Sequence, residues 1–165
     1  MKTTIAALTL TLGLLFGATG PAYAQSPGAV LEGPTLEGRP FKLSSLRGKV
    51  VLVMFWSTSC AVCRDKMPEL RQNYEGWKDK PFEMVLVNGD RRLQDLKDYE
   101  AIIARVVPRQ QRFVQMWAGD AGFHDSLDTR GHLPHSFLID KAGKVVERYQ
   151  GRIPNEAWDR IAELL

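Results

Sequence analysis

Cysteine and histidine are scarce in this chain. Its 165 residues include two cysteines and three histidines. No glycine-rich phosphate loop, internal repeat or low-complexity tract occurs, so the common nucleotide cradle and repeat architectures have no footing here. The formal net charge is only +3, too mild to steer a protein to nucleic acid. What is present, 44% hydrophobic and 25% charged residues, is the material of one globular domain with its own core.

The N-terminal stretch "MKTTIAALTLTLGLLFGATGPAYA" differs from the rest. Lys2 supplies a positive start, and Ile5 to Phe16 is an apolar run broken by threonines and a glycine. The run falls short of the ~20 residues that span a bilayer. Gly20 and Pro21 loosen the backbone, and Ala22-Tyr23-Ala24 places small residues at the −3 and −1 positions of a cut after Ala24. This is the build of a secretory signal peptide over residues 1–24. The expectation is an exported, periplasmic protein whose mature chain starts at Gln25, with a Gly, Pro and Ser-rich leader over 25–33 and one domain over 34–165.

Both cysteines lie in "FWSTSCAVCRDKMP", residues 55–68. Three readings compete: a structural staple, two legs of a metal site, or a redox pair. Export favours disulfides that form and persist. A bridge between Cys60 and Cys63 closes too short a loop to restrict the unfolded chain much, so the staple is the weakest reading. Haem attachment needs histidine after the second cysteine, and Arg64 stands there.

The surrounding pattern places the motif. "PTLEGRPFKLSSLRGK" (34–49) reads as an N-terminal hairpin turning near Glu37-Gly38. "VVLVMFW" (50–56) is an unbroken β-branched and aromatic run, a strand buried on both faces. Cys60, Cys63, Met67, Leu70, Tyr74 and Trp77 then recur at spacings of three and four, one face of a helix with Pro68 inside it. A second buried strand runs through "FEMVLVNGD" (82–90). A helix follows over 92–107, with Leu93, Leu96, Tyr99, Ile103 and Val106 on one side. "RFVQMWA" (112–118) fits strand or loop. "HSFLID" (135–140) and "KVVERYQG" (144–151) flank a turn as an antiparallel pair, and a helix closes the chain over 154–165. Strands alternating with helices imply an α/β fold with a mixed central sheet flanked by helices.

Cysteine reacts as the thiolate, and a helix N-terminus stabilises negative charge with its unpaired N–H groups and dipole. Cys60 stands where the buried strand gives way to the helix. Cys63 is one turn further in, and residues three apart on a helix are neighbours. That spacing suits Cys60 as the entering nucleophile and Cys63 as the thiol that resolves a mixed disulfide.

"GKVVLVMFWSTSCAVCRDKMPEL" resembles the thioredoxin fold, and within it the exported TlpA/ResA/DsbE-like thiol-disulfide oxidoreductases. The resemblance continues through "GRPFKLSSLRGK" and "GHLPHSFLIDKAGKVVERYQG" and is weakest over 91–130. It implies disulfide exchange with a protein substrate, a membrane-bound redox partner, and no cofactor beyond the Cys60–Cys63 disulfide; a reductase is the favoured version, and an oxidase running electrons backward through the same mixed disulfide stays open. It also implies that Leu133–Pro134 is a cis bond beside the dithiol. The Leu133 backbone would then meet an extended substrate segment as an added strand. Trp56 matches the family's aromatic near the dithiol, as a substrate contact or as plain core.

Three positions depart from that pattern. The family's buried acid six residues before the first cysteine is Met54 here. A glutamate common three residues after the second cysteine is Lys66, whose cation would favour the Cys63 thiolate unless it points into water. The aromatic often found before the first cysteine is Ser59. His135, next to Pro134, either tunes Cys60 or simply opens the next strand.

Two rival functions remain. Cys60, Cys63, His132 and His135 supply four N/S donors, enough for a zinc or copper delivery module if the loops converge. A peroxidase would use Cys60 on a peroxide, but the close cysteine pair with a facing cis-proline suits disulfide exchange better.

Overall fold

The computed structural model describes residues 28–127 and 132–165; the signal-peptide reading of 1–24 lies outside them. The elements follow in the order β1 (Leu31–Pro34), β2 (Pro40–Lys42), β3 (Val50–Trp56), α1 (Ala61–Gly76), β4 (Phe82–Asn88), α2 (Leu93–Val106), β5 (Val114–Trp117), β6 (His124–Asp125), β7 (His135–Ile139), β8 (Val145–Gln150) and α3 (Glu156–Leu164).

Five strands form the central sheet in the order β5-β4-β3-β7-β8. β3 pairs with β4 in parallel, and β4 with β5 in parallel. β7 runs antiparallel to both β3 and β8. The mixed α/β sheet expected from the alternating pattern is therefore present. β3 is buried at all seven positions, as a central strand covered on both faces requires.

Alternate residues of β3 face opposite sides. Val50, Leu52, Met54 and Trp56 join Cys63, Met67 and Leu70 of α1, Leu96 of α2, and Ala157 and Ile161 of α3 in one core. Val51, Val53 and Phe55 join Phe137, Ile139, Leu31 and Leu43 in the other. The three helices thus contribute to one core, and the N-terminal segment closes the second. Val106 of α2 is 72% exposed, so the inward stripe of that helix ends at Ile103.

The N-terminal segment starts its structure earlier than its composition suggested. Residues 31–33 belong to β1, which pairs with β2 on one side and β6 on the other. Gly38 turns the hairpin with φ 76°, a conformation that costs glycine nothing. Within the ambiguous 112–118 stretch Val114–Trp117 is a strand, paired in parallel with β4; on its other edge Leu36 N–H donates to the Gln115 carbonyl and Thr35 bridges Met116. Among the described residues no helix is long and apolar enough to cross a membrane.

Candidate functional site

β3 delivers the chain to the dithiol. After Trp56 the backbone leaves the sheet, and Cys60 becomes the N-cap of α1 with φ −78° and ψ 102°. Ser, Thr, Asp and Asn usually cap helices; here the cap acceptor is sulfur. The Cys63 backbone N–H donates to Cys60 Sγ at 3.1 Å. A first-turn donor of α1 thus points at the sulfur that would carry charge on reduction.

Cys60 and Cys63 form a disulfide with Cα atoms 5.2 Å apart. Cys60 is half-buried, whereas Cys63 has no exposed surface. Cys60 therefore keeps exposed surface at the edge of the helix-side core, and Cys63 sits within that core with Met67 and Leu70.

A neighbouring loop pins the approach to Cys60. Both Asp90 carboxylate oxygens accept the Thr58 backbone N–H, at 3.0 and 3.2 Å. Asn88 Nδ2 donates to Asp90 at 2.9 Å, and Gly89 N–H donates to the Trp56 carbonyl at 2.8 Å. Trp117 Nε1 donates to the Asp90 carbonyl at 2.8 Å. The parallel strands β3, β4 and β5 end together here, so their exits lock one another. Asp90 was not singled out from sequence; the only signal was the turn residues Asn88-Gly89 closing a buried strand.

The Leu133–Pro134 peptide is cis. In register, Phe55 faces His135, so Pro134 sits at the end of β7 that adjoins the exit of β3. The Pro134 carbonyl accepts Gly151 N–H at 2.8 Å, while the Leu133 side chain is 37% exposed. Pro134 and Leu133 are thus brought to the dithiol end of the sheet.

Three sequence expectations are corrected. Trp56 is fully buried, with its indole edge-on to Tyr99 and its Nε1 donating to Gln115 Oε1 at 3.3 Å. It is core, not a surface for substrate, because β3 is covered on both faces. His135 is also buried; its ring stacks on Phe137 at 4.9 Å in the second core. The two-residue period of β7 sends it to the face opposite Cys63, and it makes no hydrogen bond to either cysteine among the described residues. The four-ligand metal set fails for the same reason, since His132 is exposed and His135 is turned inward. Among the described residues no group of three or more His, Cys, Asp or Glu side chains converges to hold a metal ion.

Lys66 does not point into water. Only 3% of it is exposed, and its Nζ lies 2.6 Å from Glu69 Oε1. Burial works against the Glu69 charge, but hydrogen bonds from Lys66 and Trp158 and the charges of Lys66 and Arg152 outweigh it, holding this carboxyl below its ordinary value. Glu69 carries no sequence signal of its own, because nothing local says that α3 docks on this turn of α1.

A buried strand, a sulfur-capped helix holding one accessible and one buried cysteine, and a cis-proline at the neighbouring strand end define a thioredoxin-fold dithiol protein. The sequence model of the AhpC/TSA family matches residues 25–148, and the chain belongs to that family. Thiol-disulfide oxidoreductase ResA of Bacillus thuringiensis (strain Al Hakam) is 34% identical over 121 residues, covering 73% of this chain and 66% of the relative. ResA of Geobacillus thermodenitrificans (strain NG80-2) is 31% identical over 144 residues, covering 85% of this chain and 72% of the relative. The first match thus spans just under two thirds of the relative's length. A thiol:disulfide interchange protein of the thioredoxin family from Chlorobium tepidum TLS superposes with TM-score 0.65 at 26% identity, over 84% of this chain and 94% of that one. A thiol:disulfide interchange protein from Bacteroides sp. superposes with TM-score 0.58 at 26% identity, over 84% and 89% of the two chains. The family resemblance read from the cysteine motif is therefore shown.

Proposed function

We propose that this chain is an exported, periplasmic thiol-disulfide oxidoreductase that reduces protein disulfides through Cys60 and Cys63. The observation that carries the reading is the asymmetry of the pair: Cys60 is half-buried at a helix N-terminus, and Cys63 is wholly enclosed one turn on. Thiolate character and access make a cysteine reactive, and burial makes it inert to outside partners.

In the reducing direction, the Cys60 thiolate attacks one sulfur of a substrate disulfide. A Cys60–substrate disulfide forms, and the other substrate sulfur leaves as a thiol after taking up a proton. Cys63 then gives up its proton and attacks Cys60 Sγ. The second substrate sulfur departs, and the Cys60–Cys63 disulfide is left. Two electrons and two protons pass to the substrate, and the pair itself is the only redox group required. The exposed Leu133 and the cis-Pro134 border this exchange, and the Leu133 backbone would pair with an extended substrate segment. A membrane-bound redox partner would restore the dithiol from the membrane side.

Cys63→Ser tests the roles. The variant should accumulate mixed disulfides through Cys60, seen as thiol-sensitive adducts on non-reducing gels, and Cys60→Ser should not. Adducts formed only by Cys60→Ser would reverse the assignment. The reduction potential tests the direction. A value near the roughly −270 mV of thioredoxin fits a reductant, and one near the roughly −120 mV of DsbA makes the protein an oxidant.

A further inference from the structure

The start of β5 opens into a cavity of about 370 Å³ that no step of disulfide exchange uses. Glu37 and Arg39 of the β1–β2 turn line it with Arg109, Arg112, Phe113 and Val114. β3, β4 and β5 run in parallel and end together at the Cys60 loop. The cavity therefore lies at the end of β5 opposite the dithiol.

The planar guanidinium of arginine matches the oxygens of a phosphate or carboxylate with paired donors. Three arginines against one carboxylate leave the lining a formal excess of two positive charges. Arg112 donates from Nε and Nη2 to the Val107 and Ala104 carbonyls, at 3.2 and 2.8 Å. These are open carbonyls at the end of α2, and they hold the guanidinium by two of its three nitrogens. Arg109 opens the tight turn Arg109–Gln111 that follows; it is exposed and makes no ion pair among the described residues. Arg39 pairs with Glu37 at 3.7 Å, with both side chains more than half exposed, so water screens that contact to little.

The wall behind these side chains does not oppose them. Arg71 is only 9% exposed, with its guanidinium carbon 5.7 Å from the centre of the Phe113 ring. Its Nε has no hydrogen-bond partner among the described residues. Glu100 feels the charges of Arg71 and Arg112, yet burial outweighs them and raises its carboxyl above the ordinary value. With Arg71 charged and the Glu100 charge disfavoured by burial, nothing behind the wall reverses the positive lining.

We propose that this cavity binds a small phosphate ester: Arg39, Arg109 and Arg112 take the dianion, and Phe113 and Val114 receive the organic part. One water takes up about 30 Å³ of liquid, so a bare phosphate would fill only part of the space. The site stands apart from the dithiol and does not depend on the oxidoreductase reading.

Isothermal titration calorimetry with inorganic phosphate and with phenyl phosphate, above about pH 7 in about 0.15 M chloride, tests this. The protein should show one saturable site, tighter for phenyl phosphate. Arg109→Ala and Arg39→Ala should each weaken it roughly tenfold, the worth of one hydrogen bond to a charged group. Both side chains are exposed, so the fold should hold. Glu37→Gln removes the one opposing charge of the lining and should tighten binding several-fold, a gain that a damaged fold cannot give. The absence of a saturable site, or affinities unmoved by both Arg109→Ala and Glu37→Gln, overturns the proposal; phenyl phosphate binding no tighter than phosphate overturns the ester. A soluble ester and a lipid headgroup share this chemistry, and phosphatidylcholine vesicles containing phosphatidic acid separate them. Sedimentation of wild type but not of Arg109→Ala, reversed by phenyl phosphate, assigns the site to a headgroup; no sedimentation assigns it to a soluble ester. Cys60→Ser should bind phenyl phosphate as wild type does, so failure of the site and failure of the disulfide chemistry are read separately.

Discussion

The Asp90 carboxylate holds the Thr58 backbone N–H with both oxygens, at 3.0 and 3.2 Å, and so ties the exit of β4 to the loop that carries Cys60. Asp90→Ala leaves that N–H and Asn88 Nδ2 without their acceptor. The cost should be about 1–3 kcal/mol in a denaturant titration. Alkylation of reduced Cys60 should also change rate, since the loop that presents it loses its anchor. Unchanged stability and rate would show the contact to be incidental.

Trp56 fills the helix-side core and donates to Gln115. Trp56→Ala should therefore lose about 3–5 kcal/mol, the range for truncating a buried aromatic. Trp56→Phe should cost less and should leave substrate affinity intact once the protein is folded. A weakened KM for a disulfide substrate with no loss of stability would return Trp56 to the substrate surface.

Lys66→Glu, which the sequence alone suggests as a clean way to restore the glutamate common in related proteins, should instead disrupt folding. It removes the cation that pairs with Glu69 and sets a second carboxylate beside it, at a position only 3% exposed. A charge placed there is desolvated without a partner, and that penalty adds to the like-charge repulsion. The denaturant midpoint of Lys66→Glu should fall well below that of Lys66→Met.

Glu69 also predicts an acid limb in stability. Its folded carboxyl is held below the ordinary value by Lys66, Trp158 and Arg152 acting against burial. The stabilisation is therefore complete above the unfolded carboxylate range, near about 4.3, and is lost as pH falls through the folded value. Because the side chain is partly exposed, screening keeps the effect to about 1 kcal/mol or less. The stability gap between wild type and Glu69→Gln should be largest near neutrality and shrink on acidification. A gap that widened in acid would refute the assignment.

Much of the site was legible along the chain because its signals are local. The seven-residue apolar run predicts β3, and the three-and-four spacing from Cys60 predicts α1 and places Cys63 on its inner face. The cis bond before Pro134 followed from resemblance to related chains. The side chains that needed correction are those whose fate depends on which face a strand turns inward. His135 sits beside Pro134 in sequence, yet the pleat of β7 stacks its ring on Phe137 in the opposite core. Val106 continues the helical period of α2, yet it lies past the region where that helix meets the core.

By itself the sequence determined the strands β3, β4, β7 and β8 and the three helices, the sulfur at the start of α1 and the chemistry open to two cysteines three residues apart. Each depends on period, spacing or residue type within about one helical turn or one strand. Tertiary structure alone decided that Lys66 is buried against Glu69, that Trp158 of α3 donates to the same carboxylate, and that Asp90 of the β4 exit grips Thr58. A long polar side chain has no preferred partner until packing removes water from one side of it. That desolvation comes from residues tens of positions away, and no local pattern records it.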